Sequence, residues 1–159
     1  MAQIIEEEFE DSLADKFLTF NLENEFYGID IRHVIEIIGI QQITEVPEMP
    51  EYIRGIINLR GKIIPVMDVR ARFKKQPKEY NDRTCIIVIE VHEVSVGLIV
   101  DSVSEVLTIS PENIVLPPDI SQGINRYVKG IGKVGDDVKL LLNCDTLLHE
   151  DIAEQIGHI

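Results

Sequence analysis

The stretch Gly28-Ile29-Asp30-Ile31-Arg32-His33-Val34-Ile35-Glu36 has an echo further along the chain, Gly97-Leu98-Ile99-Val100-Asp101-Ser102-Val103-Ser104-Glu105. Glycine, valine and glutamate keep their spacing at an offset of 69 positions, Gly28 to Gly97. A second match follows in the same order. Tyr52-Ile53-Arg54-Gly55-Ile56 aligns with Tyr127-Val128-Lys129-Gly130-Ile131, offset by 75 positions, Tyr52 to Tyr127. One match can arise by chance, but two in the same order point to duplication, and a repeat constrains architecture more strongly than residue propensity does.

Around these anchors, apolar and β-branched residues come in short runs punctuated by Gly, Asn and Pro, the pattern of short strands joined by tight turns. KFLTFNL alternates Phe17, Thr19 and Asn21 against Leu18, Phe20 and Leu22, and a turn at Glu23-Asn24-Glu25 leads into FYGIDI, which reads as a hairpin. VIEIIGI follows a bend. After the Pro-punctuated EVPEMPEY comes a second hairpin, IRGIINLRGKIIPVMDV, turning at Asn58 to Gly61, with Gly61 suited to positive φ. Pro65 cannot donate to a ladder, so its strand should carry a free edge or a bulge there.

Each half then supplies about five strands: two before the bend, one after it and a closing hairpin, enough to curl into a small barrel with few open edges. The fold class is all-β with short helices: two tandem five-stranded barrels, at about residues 16–80 and 81–145, within one domain over 16–154. Residues 1–15, with Glu6, Glu7, Glu8, Glu10 and Asp11, read as a solvated acidic arm. DTLLHEDIAEQIGHI reads as a C-terminal helix over about 145–156, with Asp145 as N-cap and Leu147, Leu148, Ile152 and Ile156 on one face. A shorter helical turn is expected after Asp68, because Asp68 and Asp145 end corresponding strands.

A chain of 159 residues with 45% apolar and 27% charged residues is ordinary globular material. The start of the chain lacks a basic segment followed by an apolar one, and no run approaches the length of a membrane span, so a cytoplasmic protein without membrane insertion is expected. A net charge of −13 repels phosphate backbones and anionic lipid, leaving proteins as the expected partners. Cys85 and Cys144 lie in apolar runs without Cys-x-x-Cys spacing and read as buried, reduced thiols.

Catalytic chemistry is missing from the sequence. His33, His92, His149 and His158 show no metal-ligand spacing, so no metal and no cofactor is expected. The run Gly130-Ile-Gly132-Lys-Val-Gly135 is too short for a dinucleotide fingerprint and reads as a hairpin turn. Glu36, Asp68, Asp101 and Glu105 might suggest paired carboxylates for acid–base work, yet each falls at a strand end or a repeat-equivalent position where caps and turns account for it.

The closing hairpins of the two halves differ at their tips. The first has Asn58-Leu59-Arg60-Gly61, and the second, Gly132-Lys133-Val134-Gly135-Asp136-Asp137, reads as longer and acidic. Arg60 is either an ordinary solvated turn residue or a contact residue.

The runs FYGIDIRHVIEI, VPEMPEYIRGIINLRGKIIPVMDVRARF, VGLIVDSVSEVLTI and YVKGIGKVGDDVKLLLN together resemble the pattern of the CheW family of chemotaxis coupling proteins. The resemblance covers Lys16 to about Glu154, and its most specific part is Gly55 to Arg70. It implies two SH3-like barrels whose meeting groove receives the hairpin tip of a chemoreceptor's cytoplasmic coiled coil. It implies a non-enzymatic adaptor, recruited to membrane-associated receptor arrays, that links receptors to the histidine kinase CheA. By position, Asn58, Leu59, Arg60 and Gly61 would face the receptor. Val34, Glu36 and Ile37 would meet the CheW-like regulatory domain of CheA, although the alternating pattern also allows Val34 and Ile37 as core. Neither the other domains of CheA nor the receiver domain of CheV is expected here. Val115 and Ile120 stand where some relatives carry a basic and an aromatic residue for a second, ring-forming kinase contact, and the resemblance does not extend to them. The rival reading, a small-molecule-binding or enzymatic barrel, requires a concave cavity with convergent titratable groups, whereas an adaptor requires exposed apolar edges.

Overall fold

The β-branched runs form strands where the sequence places them. The computed structural model describes Ile5, residues 12–117 and residues 126–148. In the first half stand β1 (Lys16–Leu22), β2 (Glu25–Asp30), β3 (Val34–Gly39), β4 (Ile53–Leu59) and β5 (Lys62–Asp68). In the second stand β6 (Cys85–Val91), β7 (Val94–Val100), β8 (Ser102–Thr108), the short β9 (Ile114–Val115), β10 (Val128–Val134) and β11 (Asp137–Leu142). Among the described residues the fold is all-β apart from short helical turns.

Two sheets result, one in the order β3-β6-β7-β5-β4 and the other in the order β8-β1-β2-β11-β10-β9. The orders are equivalent under the repeat. Gly28 lies beside Leu141 and Gly97 beside Val66, each in a parallel pairing, so the register itself repeats. Thr44 bridges Ile56 on β4 much as β9 pairs with β10.

The sheets do not follow a boundary near residue 80. The 34–100 sheet combines β3, β4 and β5 of the first half with the hairpin β6-β7 of the second; the other combines β1-β2 with β8 to β11. The expected barrels at 16–80 and 81–145 are therefore corrected: the halves exchange their opening hairpins. The parallel ladders β5–β7 and β2–β11 cause this, and such pairings leave no turn signal in the sequence. The exchange starts at Ile31–His33, a 3-10 turn in which the Asp30 carboxylate accepts from Arg32 N and turns the chain out of one sheet into the other.

Exchange buries strands on both faces. Leu18, Phe20 and Leu22 point into a large core shared by the two sheets, while Phe17 joins Ile109 and Leu141 in a small cluster of the terminal sheet. The alternation in KFLTFNL thus separates two interiors rather than core from solvent. Ile57, Ile64, Val66, Ile86, Val88 and Ile99 form the corresponding interior of the 34–100 sheet. Pro65 pairs with Ile56 on β4 just before the β7 ladder begins at Val66, so its missing N–H breaks no bond on that side.

Both helical turns are present, with one cap displaced. Val69–Arg72 is capped by Asp68, which accepts from Ala71 N, and Cys144–Leu147 is capped by Asn143, which accepts from Thr146 N. Asn143, not Asp145, is the repeat equivalent of Asp68: their amides bond to Tyr127 O and Tyr52 O respectively. Residues 149–156 of the expected helix lie outside the described residues, as does most of the acidic arm. Both cysteines are free; Cys144 is buried, and burial pushes its thiol up to about 12, but Cys85 is half-buried, contrary to expectation.

Candidate functional site

The hairpin β4-β5 closes in a two-residue turn, Arg60-Gly61, between Leu59 and Lys62. Both turn residues have positive φ, 53° and 88°, and Asn58 Oδ1 accepts from Gly61 N at 2.8 Å. Left-handed backbone suits Gly, Asn and Asp; an arginine there is strained by roughly 1–2 kcal/mol. The equivalent turn, Gly135-Asp136, is also two residues long, joining Val134 to Asp137. The expected longer second tip is corrected, because Gly132, Lys133 and Val134 belong to β10.

The Arg60 side chain is 70% exposed and its guanidinium donates to the carboxylate of Glu36 on β3. Strands β3 and β4 are the two edges of their sheet, so this contact means that the sheet curls until its edges face each other. The receptor-facing and kinase-facing assignments of the sequence analysis meet in one ion pair. Leu59 is half-buried against the interior of the sheet, leaving Asn58, Arg60 and Gly61 as the exposed tip.

Along β3, exposure alternates. Val34, Glu36 and Ile38 are half-buried, Val34 and Ile38 on core clusters, whereas Ile35 and Ile37 are 53% and 42% exposed. Val34, Glu36 and Ile37 therefore do not share one face. Ile37 is an outward residue of an edge strand, Val34 leans on the shared core, and Ile35, which the sequence reading passed over, stands beside Ile37. The signal for Ile35 was the two-residue period of VIEIIG.

The imagined carboxylate chemistry dissolves into structural contacts. Asp68 caps a helical turn and accepts from Tyr80 Oη at 2.9 Å and Arg54 Nε at 3.3 Å. Asp101 receives a bidentate guanidinium, Arg70 Nε at 2.7 Å and Nη2 at 2.5 Å, and accepts from Glu23 N at 2.8 Å. Arg70, 7% exposed, also donates to Glu23 Oε1 and Gln76 O. Burial alone would raise the Asp101 pKa; the bonds from Arg70 and the Glu23 amide outweigh it and hold the carboxyl below its ordinary value. Among the described residues no group of three or more His, Cys, Asp and Glu is placed to hold a metal, and no helix is long and apolar enough to cross a membrane.

Residues 16–151 match the family model of the CheW-like domain. The chain belongs to the CheW family. It is 37% identical over 150 residues to a chemotaxis protein CheW of Klebsiella aerogenes, covering 94% of this chain and 90% of the relative. It is 36% identical over 142 residues to that of Bacillus subtilis, covering 89% and 91%. A solved structure of the scaffolding protein TtCheW from Thermoanaerobacter tengcongensis superposes with a TM-score of 0.80 at 38% identity, covering 87% of this chain and 94% of that one. These relatives are named as chemotaxis and scaffolding proteins, none as an enzyme. Within this CheW-family chain, Val115 on the two-residue β9 is 40% exposed and Leu116 beside it 82%, while Ile120 lies outside the described residues.

Proposed function

We propose that this CheW-family chain is a non-enzymatic cytoplasmic adaptor that joins chemoreceptors, through the hairpin tip of their cytoplasmic coiled coil, to the CheW-like regulatory domain of CheA, within membrane-associated arrays. The observation that carries the reading is Arg60: a long cationic side chain held at φ 53° on an exposed tip, where glycine would be unstrained. Asn58, Arg60 and Gly61 offer the receptor a polar, cationic tip. The outward apolar pair Ile35 and Ile37 on the edge strand β3 offers the kinase domain a strand edge with buriable surface.

A two-partner pull-down with a receptor fragment and a CheA regulatory-domain fragment tests this directly. Arg60→Glu should lose the receptor and keep the kinase fragment, whereas Ile37→Asp should do the reverse, each with an unchanged melting temperature. Ile37 serves better than Val34, since a carboxylate at Val34 would meet the shared core and unfold the protein along with both contacts. Retention of both partners by both variants would refute the assignment.

A further inference from the structure

At the far end of the β4-β5 hairpin, about 23 Å of strand away from the Arg60 tip, the two repeat-equivalent tyrosines converge. Arg72 lies between them, with its guanidinium carbon 4.3 Å from the Tyr52 ring centre and 4.9 Å from that of Tyr127. Arg72 is 9% exposed, and its Nε is buried without a hydrogen-bond partner. An enclosed cation without a hydrogen-bonded counter-charge is costly, and stacking on two rings offsets only part of that. Beside it opens a cleft of about 410 Å³, lined by Tyr52, Arg72, Lys74, Arg126 and Tyr127 with Glu51. Arg126 stacks on Tyr127 at 4.8 Å and donates to its Oη at 2.5 Å.

On a chain of net charge −13, the described residues of this wall carry three cations and one carboxylate, which makes it locally positive. Neither the Arg60 tip nor the Ile35 and Ile37 edge lines it. We propose that the cleft binds a carboxylate. A guanidinium that lies over ring faces keeps an edge for planar, two-point recognition, the geometry that carboxylates match. Glu51 on the same wall disfavours a dianionic phosphate. The carboxylate would belong to a small free dicarboxylate or to an acidic side chain of a protein.

The test titrates the full chain, at constant ionic strength, with sodium succinate, with the peptide acetyl-Glu-Glu-Glu-amide and with sodium phosphate. NMR follows the arginine Nε–Hε and tyrosine ring resonances. Saturable shifts of Arg72 and Tyr52 with succinate support a free dicarboxylate; saturation with the peptide alone supports a protein side chain. Arg126→Gln, at an exposed position, should weaken the response about tenfold with an unchanged melting temperature, the size expected for losing one charged contact. Arg72→Lys, which keeps the charge and loses the planar edge, should weaken it at least as much. No saturable shift with either carboxylate probe, an equal response to phosphate, or an undiminished response in Arg126→Gln would overturn the proposal.

Discussion

The 34–100 sheet and the sheet built from the two ends of the chain share one strand order and one register, yet they differ in charge at their hairpin tips and around Arg70. Where the first has Arg60 at its tip, paired with Glu36, the equivalent positions of the second carry Gly135 and Glu105, so this ion pair has no counterpart there. Where Arg70 lies buried against Asp101 and Glu23, the equivalent positions carry Asp145 and Arg32, with His92 in place of Glu23. Asp145 and His92 again lie together, at 2.6 Å, with the carboxylate now at the position of Arg70 and both side chains more than half exposed. Backbone pairing and core volume hold both copies to one architecture, while the surface of each is free to specialise. The tip that departs from turn chemistry, Arg60, is the one read as a contact.

The exchange of opening hairpins can be broken most drastically. Fragments 1–80 and 81–159, each purified alone, should show no cooperative melt by circular dichroism, because the first lacks β6 and β7 between β3 and β5, and the second lacks β1 and β2 between β8 and β11. Mixing them should restore a transition. A cooperative melt for either fragment alone would mean that the halves fold without exchange.

Next in size is the contrast between the two charge clusters. Asp101→Ala strands Arg70 in a buried setting and should destabilise by about 3 kcal/mol, whereas Asp145→Ala removes an exposed pair and should change stability by less than about 0.5 kcal/mol. The same carboxylate sets a pH dependence. Because folding depresses the Asp101 pKa below the ordinary aspartate value of about 3.9, its contribution is complete above that value and is lost as pH falls through and below it. Denaturant melts between neutral pH and pH about 3 should show a steeper acid loss in the parent than in Asp101→Asn.

A smaller difference separates two repeat-equivalent glycines at the bulges of β4 and β10. Gly55 has φ +148°, and a Cβ there would lie 2.1 Å from Thr44 O, so Gly55→Ala must displace the Thr44–Ile56 bridge. At Gly130 the nearest atom would be Ile114 Cγ2, 2.7 Å away, the end of a side chain. The expected losses are about 3 kcal/mol and about 1 kcal/mol respectively, read from chemical denaturation. Equal losses would mean that the two bulges are alike in energy.

Arg60→Gly, which gives the first tip the leading glycine of the second, separates stability from binding. Relief of left-handed strain and loss of an exposed ion pair oppose each other, so the melt should move by less than about 1 kcal/mol. Receptor pull-down, by contrast, should fall about tenfold or more. An unchanged pull-down would make Arg60 an ordinary turn residue.

Much of this was legible in the chain. The Gly28/Gly97 and Tyr52/Tyr127 matches announced the duplication, Asn58 to Gly61 announced the hairpin, and VIEIIG carried the period that exposes Ile35 and Ile37. These are local signals, set by turn chemistry and by side chains alternating along a pleat. The sequence also determined the all-β class and the family, since both rest on patterns read along one strand at a time.

Tertiary structure alone decided how those strands are shared. Parallel neighbours such as Gly97 and Val66 are brought together by packing between segments with no turn between them, so nothing in either segment names its partner. The exchange therefore stayed hidden, along with the double burial of β1, the pairing of Arg60 with Glu36 across a curled sheet, and the place of Arg72 between two tyrosines that lie 75 positions apart in the chain. Each depends on the relative placement of elements distant in sequence, which free energy settles only once the whole core has closed.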